Sequence, residues 1–283
     1  MIVPLTKERR KNLKTKLILS LAALIAFAAI ATPQSFAQAG NTAQPAAAAP
    51  AKKPPMAKTK EEYQAYAAAA TLTDPAKLEA AATDFAQKYP SSELRSLLFQ
   101  EAMGLYQNNN DTAKTLEMAR DVLKYDPDNA VALLTASQIL SERTDSTMDK
   151  DARLAEADAN ARAALRNADK ITPPPNMPAD QFEATLSQLR GTAHEVIGTV
   201  AFKKGDYFTA IKEYNAAINE EKEHTDAVVY LRLAVSHDKS GDYPAAGEAI
   251  QKAIAGSQPG SQVRALADQE KARLDKIGET IIK

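Results

Sequence analysis

The segment HEVIGTVAFKKGDYFTAIKEYNAAI at residues 194–218 aligns without gaps with YLRLAVSHDKSGDYPAAGEAIQKAI at residues 230–254. The offset is 36 residues, and the triplet Gly205-Asp206-Tyr207 recurs as Gly241-Asp242-Tyr243. Apolar residues follow helical spacing on both sides of each triplet, so each segment predicts two helices joined by a tight turn. In each turn the glycine ends the first helix and the aspartate caps the second.

The pattern resembles the tetratricopeptide repeat, in which small residues let two helices approach and large residues fill the space around them. The resemblance implies an all-α fold, namely a right-handed α-solenoid of antiparallel helix pairs with a C-terminal capping helix. In the order of the family positions, the first segment has His194, Ile197, Gly198, Ala201, Ala210, Tyr214 and Ala217, and the second has Tyr230, Leu233, Ala234, His237, Ala246, Ile250 and Ala253.

Residues 61–168 carry a weaker form of the same pattern. The stretch 108–111 (Asn-Asn-Asn-Asp) stands where the turn is expected, and Asp126-Pro127 matches the usual ending of a family repeat. An opening helix pair is predicted before it, divided at Asp74-Pro75. These stretches predict further helix pairs in the N-terminal half, with a long turn over 142–150.

Prolines separate the two halves of the array at 172–178 (Thr-Pro-Pro-Pro-Asn-Met-Pro), because consecutive prolines exclude helix. A long helix is expected from Ala179 towards Lys204, and a last amphipathic helix after Pro259-Gly260. The predicted organisation is a signal peptide over 1–37, a disordered Ala/Pro-rich linker over 38–58, N-terminal repeat-like helix pairs over 59–170, a Pro-rich break over 171–178, and C-terminal repeats with the capping helix over 179–283.

The N-terminus has the three parts of a secretory signal peptide. Basic residues crowd positions 7–16, an uncharged apolar run covers 17–31, and Ser35-Phe36-Ala37 offers a cleavage site. The 15-residue run is short for a membrane span, which takes about 20 residues. We therefore expect export to the periplasm or beyond the cell, and no integral span after cleavage. An uncleaved anchor and, through Arg9-Arg10, twin-arginine export are the alternatives.

Composition excludes several classes of function. The chain of 283 residues has no cysteine, which excludes disulfides, thiolate zinc sites and cysteine nucleophiles. A formal net charge of −1 argues against nucleic-acid binding. His194-Glu195 begins like the zinc motif His-Glu-x-x-His, but Gly198 stands at the second histidine position. No catalytic residue, metal site or cofactor is predicted, and the protein is expected not to be an enzyme.

The resemblance implies that first-helix residues of each pair line a concave face that binds a peptide or another envelope protein. Lys, Asn and Arg grip a C-terminal carboxylate in some family members, and the matching positions here hold other residues. The expected function is therefore a non-catalytic exported scaffold. An envelope enzyme or carbohydrate-active accessory with an unrecognised site and a self-associating structural module are the alternatives. The candidate partner-binding residues are Gln100, Gln107, Gln138, Thr199, Phe202, Lys203, Arg232, Val235 and Lys239.

Overall fold

The computed structural model describes residues 55–142, 149–173 and 177–281. These residues form eleven α-helices and one turn of 3₁₀ helix at Lys222–His224, and no strand occurs among them, which confirms the all-α fold class. The predicted signal peptide and nearly all of the predicted linker lie outside the described residues. The helices are α1 Lys60–Ala70, α2 Pro75–Lys88, α3 Arg95–Asn108, α4 Thr112–Tyr125, α5 Ala130–Glu142, α6 Lys150–Ala168, α7 Ala179–Lys203, α8 Tyr207–Glu221, α9 Ala227–Lys239, α10 Tyr243–Gly256 and α11 Gln262–Ile281.

The described chain divides into two compact units. The first contains residues up to Ala136 together with Arg166–Thr185, and the second contains Ser137–Leu165 together with the residues from Leu186 onward. The second unit thus includes the end of α5 and most of α6. The two units are not divided at the expected boundary, residues 171–178. The interruption of the repeats by the Pro-rich segment stays a prediction.

The turns of the second unit have the glycine and the capping aspartate at the positions that the repeat pattern predicts. Gly205 has a φ of 80°, and the Asp206 amide donates to the Ala201 carbonyl at 2.9 Å, which closes the end of α7. The Asp206 side chain accepts a hydrogen bond from the Thr209 amide at 3.0 Å and caps α8. The turn between α9 and α10 repeats this arrangement with Gly241, at a φ of 84°, and Asp242.

The first unit uses the same turn with different residues. Asn110 takes the left-handed conformation, with a φ of 58°, and Asp111 caps α4 by accepting from the Lys114 amide at 3.1 Å. Asp74 caps α2 in the same manner, with Pro75 at the first helical position. The helix ends expected around residues 74, 110 and 126 are therefore confirmed.

Alanine and single large side chains share the core of the second unit. Ala210 and Ala217 of α8 are fully buried, and so are Ala246 and Ala253 of α10. Tyr214 is the largest fully buried side chain of this cluster. The repeated small residues thus lie at the helix contacts for which the pattern predicted them.

Candidate binding surface

Arg232 of α9 joins three helices of the second unit. Its Nη1 donates to Oε1 of Glu195 at 2.7 Å and to Oγ1 of Thr199 at 3.1 Å, both on α7. Its Nη2 donates to Oε1 of Glu142, the last residue of α5, at 2.6 Å. We call these four residues the Arg232 cluster. Because an arginine side chain presents several hydrogen-bond donors in one plane, Arg232 of α9 bonds at once to one face of α7 and to the end of α5.

Helical spacing places the α7 residues of the cluster in one row. Glu195, Thr199 and Lys203 follow one another at intervals of four, so they lie on the same side of α7. Lys203 extends the row to the end of α5, where its Nζ donates to the carbonyl of Ser141 at 2.8 Å. A cation at these carbonyls satisfies backbone acceptors that have no partner within their own helix.

Burial controls the electrostatics of the cluster. Burial raises the pKa of Glu195, Arg232 opposes this rise, and the charges of Glu142 and Asp226 add to it. Burial would lower the pKa of Arg232, but Glu195 and Glu142 outweigh it and raise that pKa. The guanidinium therefore stays charged, and it is held by carboxylates of its own unit.

Tyr214 supports the cluster from the core side. Its hydroxyl lies 3.3 Å from Oγ1 of Thr199, and burial raises its pKa to about 12. The ring packs so closely on Gly198 that a Cβ added there would lie 2.9 Å from two ring carbons. Glycine at this position thus allows α8 to approach the row of α7 side chains that Arg232 contacts.

The other predicted residues of α7 and α9 are differently exposed. Phe202 is half-buried and makes an edge-to-face contact with Tyr207, at 5.7 Å between ring centres. Val235 is half-buried one helical turn after the position of Arg232, and Lys239 at the end of α9 is exposed. The surface therefore combines a paired polar centre with partly accessible apolar side chains.

The remaining three predicted residues do not join this cluster. Gln100 of α3 accepts a hydrogen bond from Nδ2 of Asn129 at 2.8 Å, and Gln107 of the same helix is buried. Both belong to the first unit. Gln138 is half-buried on α5, and its carbonyl accepts from the Ser141 hydroxyl at 3.0 Å.

Sequence reasoning missed Glu142, although it named Gln138 on the same helix. Glu142 lies 90 positions before Arg232, and the chain between them contains a turn and a Pro-rich stretch, so no local pattern links the two residues. Glu195 differs in this respect, because the repeat pattern places it at a first-helix position, one turn before Thr199 on the predicted helix.

In the part of the chain that the structure describes, no group of three or more His, Asp or Glu side chains is placed to hold a metal ion. His194 lies 2.7 Å from Glu213, and this hydrogen bond lowers the pKa of Glu213. The histidine of the incomplete zinc motif therefore joins α7 to α8. Among the described helices, none is long and apolar enough to cross a membrane.

No family model and no curated protein sequence matches the chain. Solved structures to which the chain is similar include the type IV pilus biogenesis factor PilW, at 16% identity and a TM-score of 0.45, covering 77% of this chain and 92% of that one. The tetratricopeptide protein TTC0263 of Thermus thermophilus has 14% identity and a TM-score of 0.42, covering 74% and 98%. The MamA protein has 20% identity and a TM-score of 0.38, covering 65% and 86%.

Proposed function

We propose that this protein is an exported, non-catalytic scaffold of the bacterial cell envelope that binds a partner protein or peptide. The partner contacts the surface that α7 and α9 form around the Arg232 cluster. The observation that carries this proposal is the bridging of α5, α7 and α9 by Arg232, beside half-buried Val235 and exposed Lys239.

Preorganisation is the physical reason for assigning binding to this surface. The Arg232 guanidinium is already held by Glu195 and Glu142, so a partner meets a surface whose polar side chains do not have to be ordered on binding. Val228, Leu231 and Val235 follow helical spacing along α9 and are all half-buried. Apolar side chains at this spacing suit an extended or helical segment of a partner.

The same pairing favours a scaffold over an enzyme. A catalytic acid or base must reach the reacting group of a substrate, and its pKa is tuned for that task. In the Arg232 cluster the charged groups bond to one another within the protein, with the guanidinium between two carboxylates. This arrangement stabilises three helices and presents no charge-relay geometry.

Binding is tested by comparing three forms of the chain from residue 38 onward. Immobilised wild type, Lys239→Ala and Lys212→Ala are exposed to envelope extract, and the retained proteins are quantified by mass spectrometry. Lys239 and Lys212 are both exposed, but Lys212 lies on α8, outside the proposed surface. A partner of this surface is retained by wild type and Lys212→Ala and weakened several-fold by Lys239→Ala. Equal retention by all three forms would exclude this surface, and binding of the chain to itself would favour a self-associating module.

Export is tested separately by intact-mass measurement on the protein from its native envelope. The basic, apolar and small-residue order of 7–37 predicts loss of the first 37 residues. A full-length protein retained in the membrane would contradict export by cleavage.

A further inference from the structure

Glu221 lies unusually close to the backbone of α7. It is the last residue of α8, and a Cβ added at Gly191 would lie 2.6 Å from its Cγ and 2.7 Å from its Oε1. Gly191 stands well inside a helix of 25 residues, where glycine is unfavourable relative to alanine. The glycine thus provides the space that the half-buried Glu221 side chain occupies.

Among the described side chains, no cationic group pairs with the Glu221 carboxyl group, and the charged groups near it have other partners or are exposed. On α7, Arg190 bonds to the neighbouring Glu220 at 3.1 Å, and Glu195 is paired with Arg232 of α9. Asp226 caps α9 by accepting from the Val228 amide at 2.9 Å. Lys222 and His224, which follow Glu221 in the chain, are exposed.

These surroundings oppose ionisation of Glu221. Burial removes water from the carboxyl group, and the charges of Glu195 and Asp226 repel a third negative charge. Together they raise the pKa of Glu221 to about 7.

The next residue, Lys222, has a φ of 49° and a ψ of −114°, a conformation that is costly for a residue other than glycine.

We propose that the junction of α7, α8 and α9 is a proton-operated joint, in which the Glu221 carboxyl group packs against Gly191 when protonated and withdraws when ionised. Withdrawal moves the carboxylate into water and frees the connection over 222–226, where the backbone of Lys222 is held in its costly conformation. The joint lies beside the α7 and α9 residues of the Arg232 cluster, but the inference does not depend on the proposed binding function.

Carbon-13 NMR of the side-chain carboxyl groups tests the joint directly in the chain from residue 38 onward. The Glu221 signal, identified by its loss in Glu221→Gln, is expected to titrate with a midpoint above the ordinary value of 4.5 and below about 7, because withdrawal lets the carboxylate ionise in water. The amide shifts of Thr225 and Ala227 should change with the same midpoint, because the connection moves with the carboxylate. A Glu221 midpoint near 4.5, or amide shifts that do not follow it, would overturn the proposal.

Two glycine variants test the role of the close approach. Gly191→Ala places a methyl group where the Glu221 side chain lies, so it should lower the titration midpoint by at least one pH unit. Gly247→Ala is the control, because nothing lies within 4 Å of a Cβ added at that helical glycine, and it should leave the midpoint unchanged. An unchanged midpoint in a folded Gly191→Ala would remove the glycine from the mechanism and overturn the proposal as stated.

Thermal unfolding keeps the proposal testable if Gly191→Ala does not fold. The unfolded chain releases this proton near pH 4.5 and the folded chain at a higher pH, so wild type loses stability as the pH rises above 4.5 and levels off by about pH 7. The melting temperature of Glu221→Gln relative to wild type should therefore rise from pH 5 to 7 and stay constant above it. Glu220→Gln, which removes the neighbouring carboxylate that bonds to Arg190 at 3.1 Å, is the control for the loss of a charge at the end of α8. A flat difference for Glu221→Gln would refute the joint.

Discussion

The helix pairs α3–α4 and α7–α8 have the same turn but divide the buried volume between their helices in opposite ways. When the turns are aligned, Asn110 corresponds to Gly205, and both have positive φ values, of 58° and 80°. Counting from these turns, Gly198 of α7 corresponds to Met103 of α3. On the second helix, Tyr214 of α8 corresponds to Ala119 of α4.

All four of these interior positions are buried, so the difference concerns which helix supplies the bulk. In α7–α8 the first helix has glycine and the second has tyrosine, whereas α3–α4 has methionine first and alanine second. The pair α9–α10 is intermediate, with Ala234 and Ile250. Packing at constant density requires the combined volume to be kept, and it does not require a particular residue at either position.

The largest effect on stability is expected from substitutions at Tyr214 and Gly198, which change how much buried volume each helix of the α7–α8 pair supplies. Tyr214→Ile removes a fully buried ring and should lower the free energy of unfolding by about 2–4 kcal/mol. Gly198→Ala should destabilise wild type, because its methyl group would lie 2.9 Å from the Tyr214 ring. In the Tyr214→Ile background the same alanine should stabilise by about 1 kcal/mol through its higher helix propensity. Urea unfolding of the four proteins measures this coupling.

A helical glycine with free space around it is the control for this cycle. Gly247→Ala should raise the free energy of unfolding by about 0.5–1 kcal/mol in either background, because nothing lies within 4 Å of the added Cβ. If Gly198→Ala has the same effect with Tyr214 as with isoleucine, the two positions do not share volume and the comparison with α3–α4 fails.

A smaller effect is expected at the two aligned turns. Gly205→Ala should lower the free energy of unfolding by about 1–2 kcal/mol, because alanine is strained at a φ of 80° while no atom lies within 4 Å of its Cβ. Gly205→Asn should cost less than half as much, because asparagine tolerates this conformation and occupies it in α3–α4. Thermal unfolding of both variants measures the difference.

The reciprocal change in the first unit sharpens this prediction. Asn110→Gly relieves residual strain at a φ of 58° but adds freedom to the unfolded chain, so its effect should stay within about 1 kcal/mol. Equal losses for Gly205→Ala and Gly205→Asn would show that the turn of α7–α8 imposes a stricter conformation than that of α3–α4.

The smallest effect is expected from a polar contact of the first unit, between Tyr106 and Glu79. Tyr106 occupies the position of Ala201, and its hydroxyl donates to Oε2 of Glu79 at 2.5 Å, while Lys114 donates to Oε1 at 2.8 Å. Burial would raise the pKa of Glu79, but these bonds lower it below 4.5. Stabilisation by Glu79 is therefore present above pH 4.5 and is lost as the pH falls through the lower folded value. Glu79→Gln should cost at most about 1 kcal/mol at pH 7.

Melting temperatures between pH 2.5 and 7 check this dependence. The difference between wild type and Glu79→Gln should shrink below pH 4.5. Glu117→Gln is the control, because Glu117 contacts the same lysine at 3.1 Å with a side chain that is 56% exposed and should contribute less. A difference that stays constant with pH would mean that Glu79 gains nothing from ionisation in the folded unit.

Sequence prediction worked best where the structure depends on neighbours in the chain. The long helix α7, the turn at Gly205-Asp206 and the division between helices at Asp74-Pro75 are all set by residues within a few positions of one another. Thr199, Lys203 and Arg232 stand at first-helix positions of the repeat and lie on α7 and α9, and their role in partner binding stays a prediction. Sequence prediction did not anticipate the burial of Thr199 or Gln107, because a helix periodicity does not show which neighbouring helix covers a given side chain.

The sequence by itself determined the helices, their turns and the repeat, because capping, left-handed glycine and apolar spacing act over one or two helical turns. Only the tertiary structure decided that Arg232 meets Glu142 across 90 residues and that Glu221 lies against Gly191. Those contacts depend on how helices distant in sequence pack, and the burial they produce is what raises the pKa of Glu221 to about 7. Interactions between residues close in the chain therefore specify the helices and turns, whereas tertiary packing creates the buried charged environments of Arg232 and Glu221.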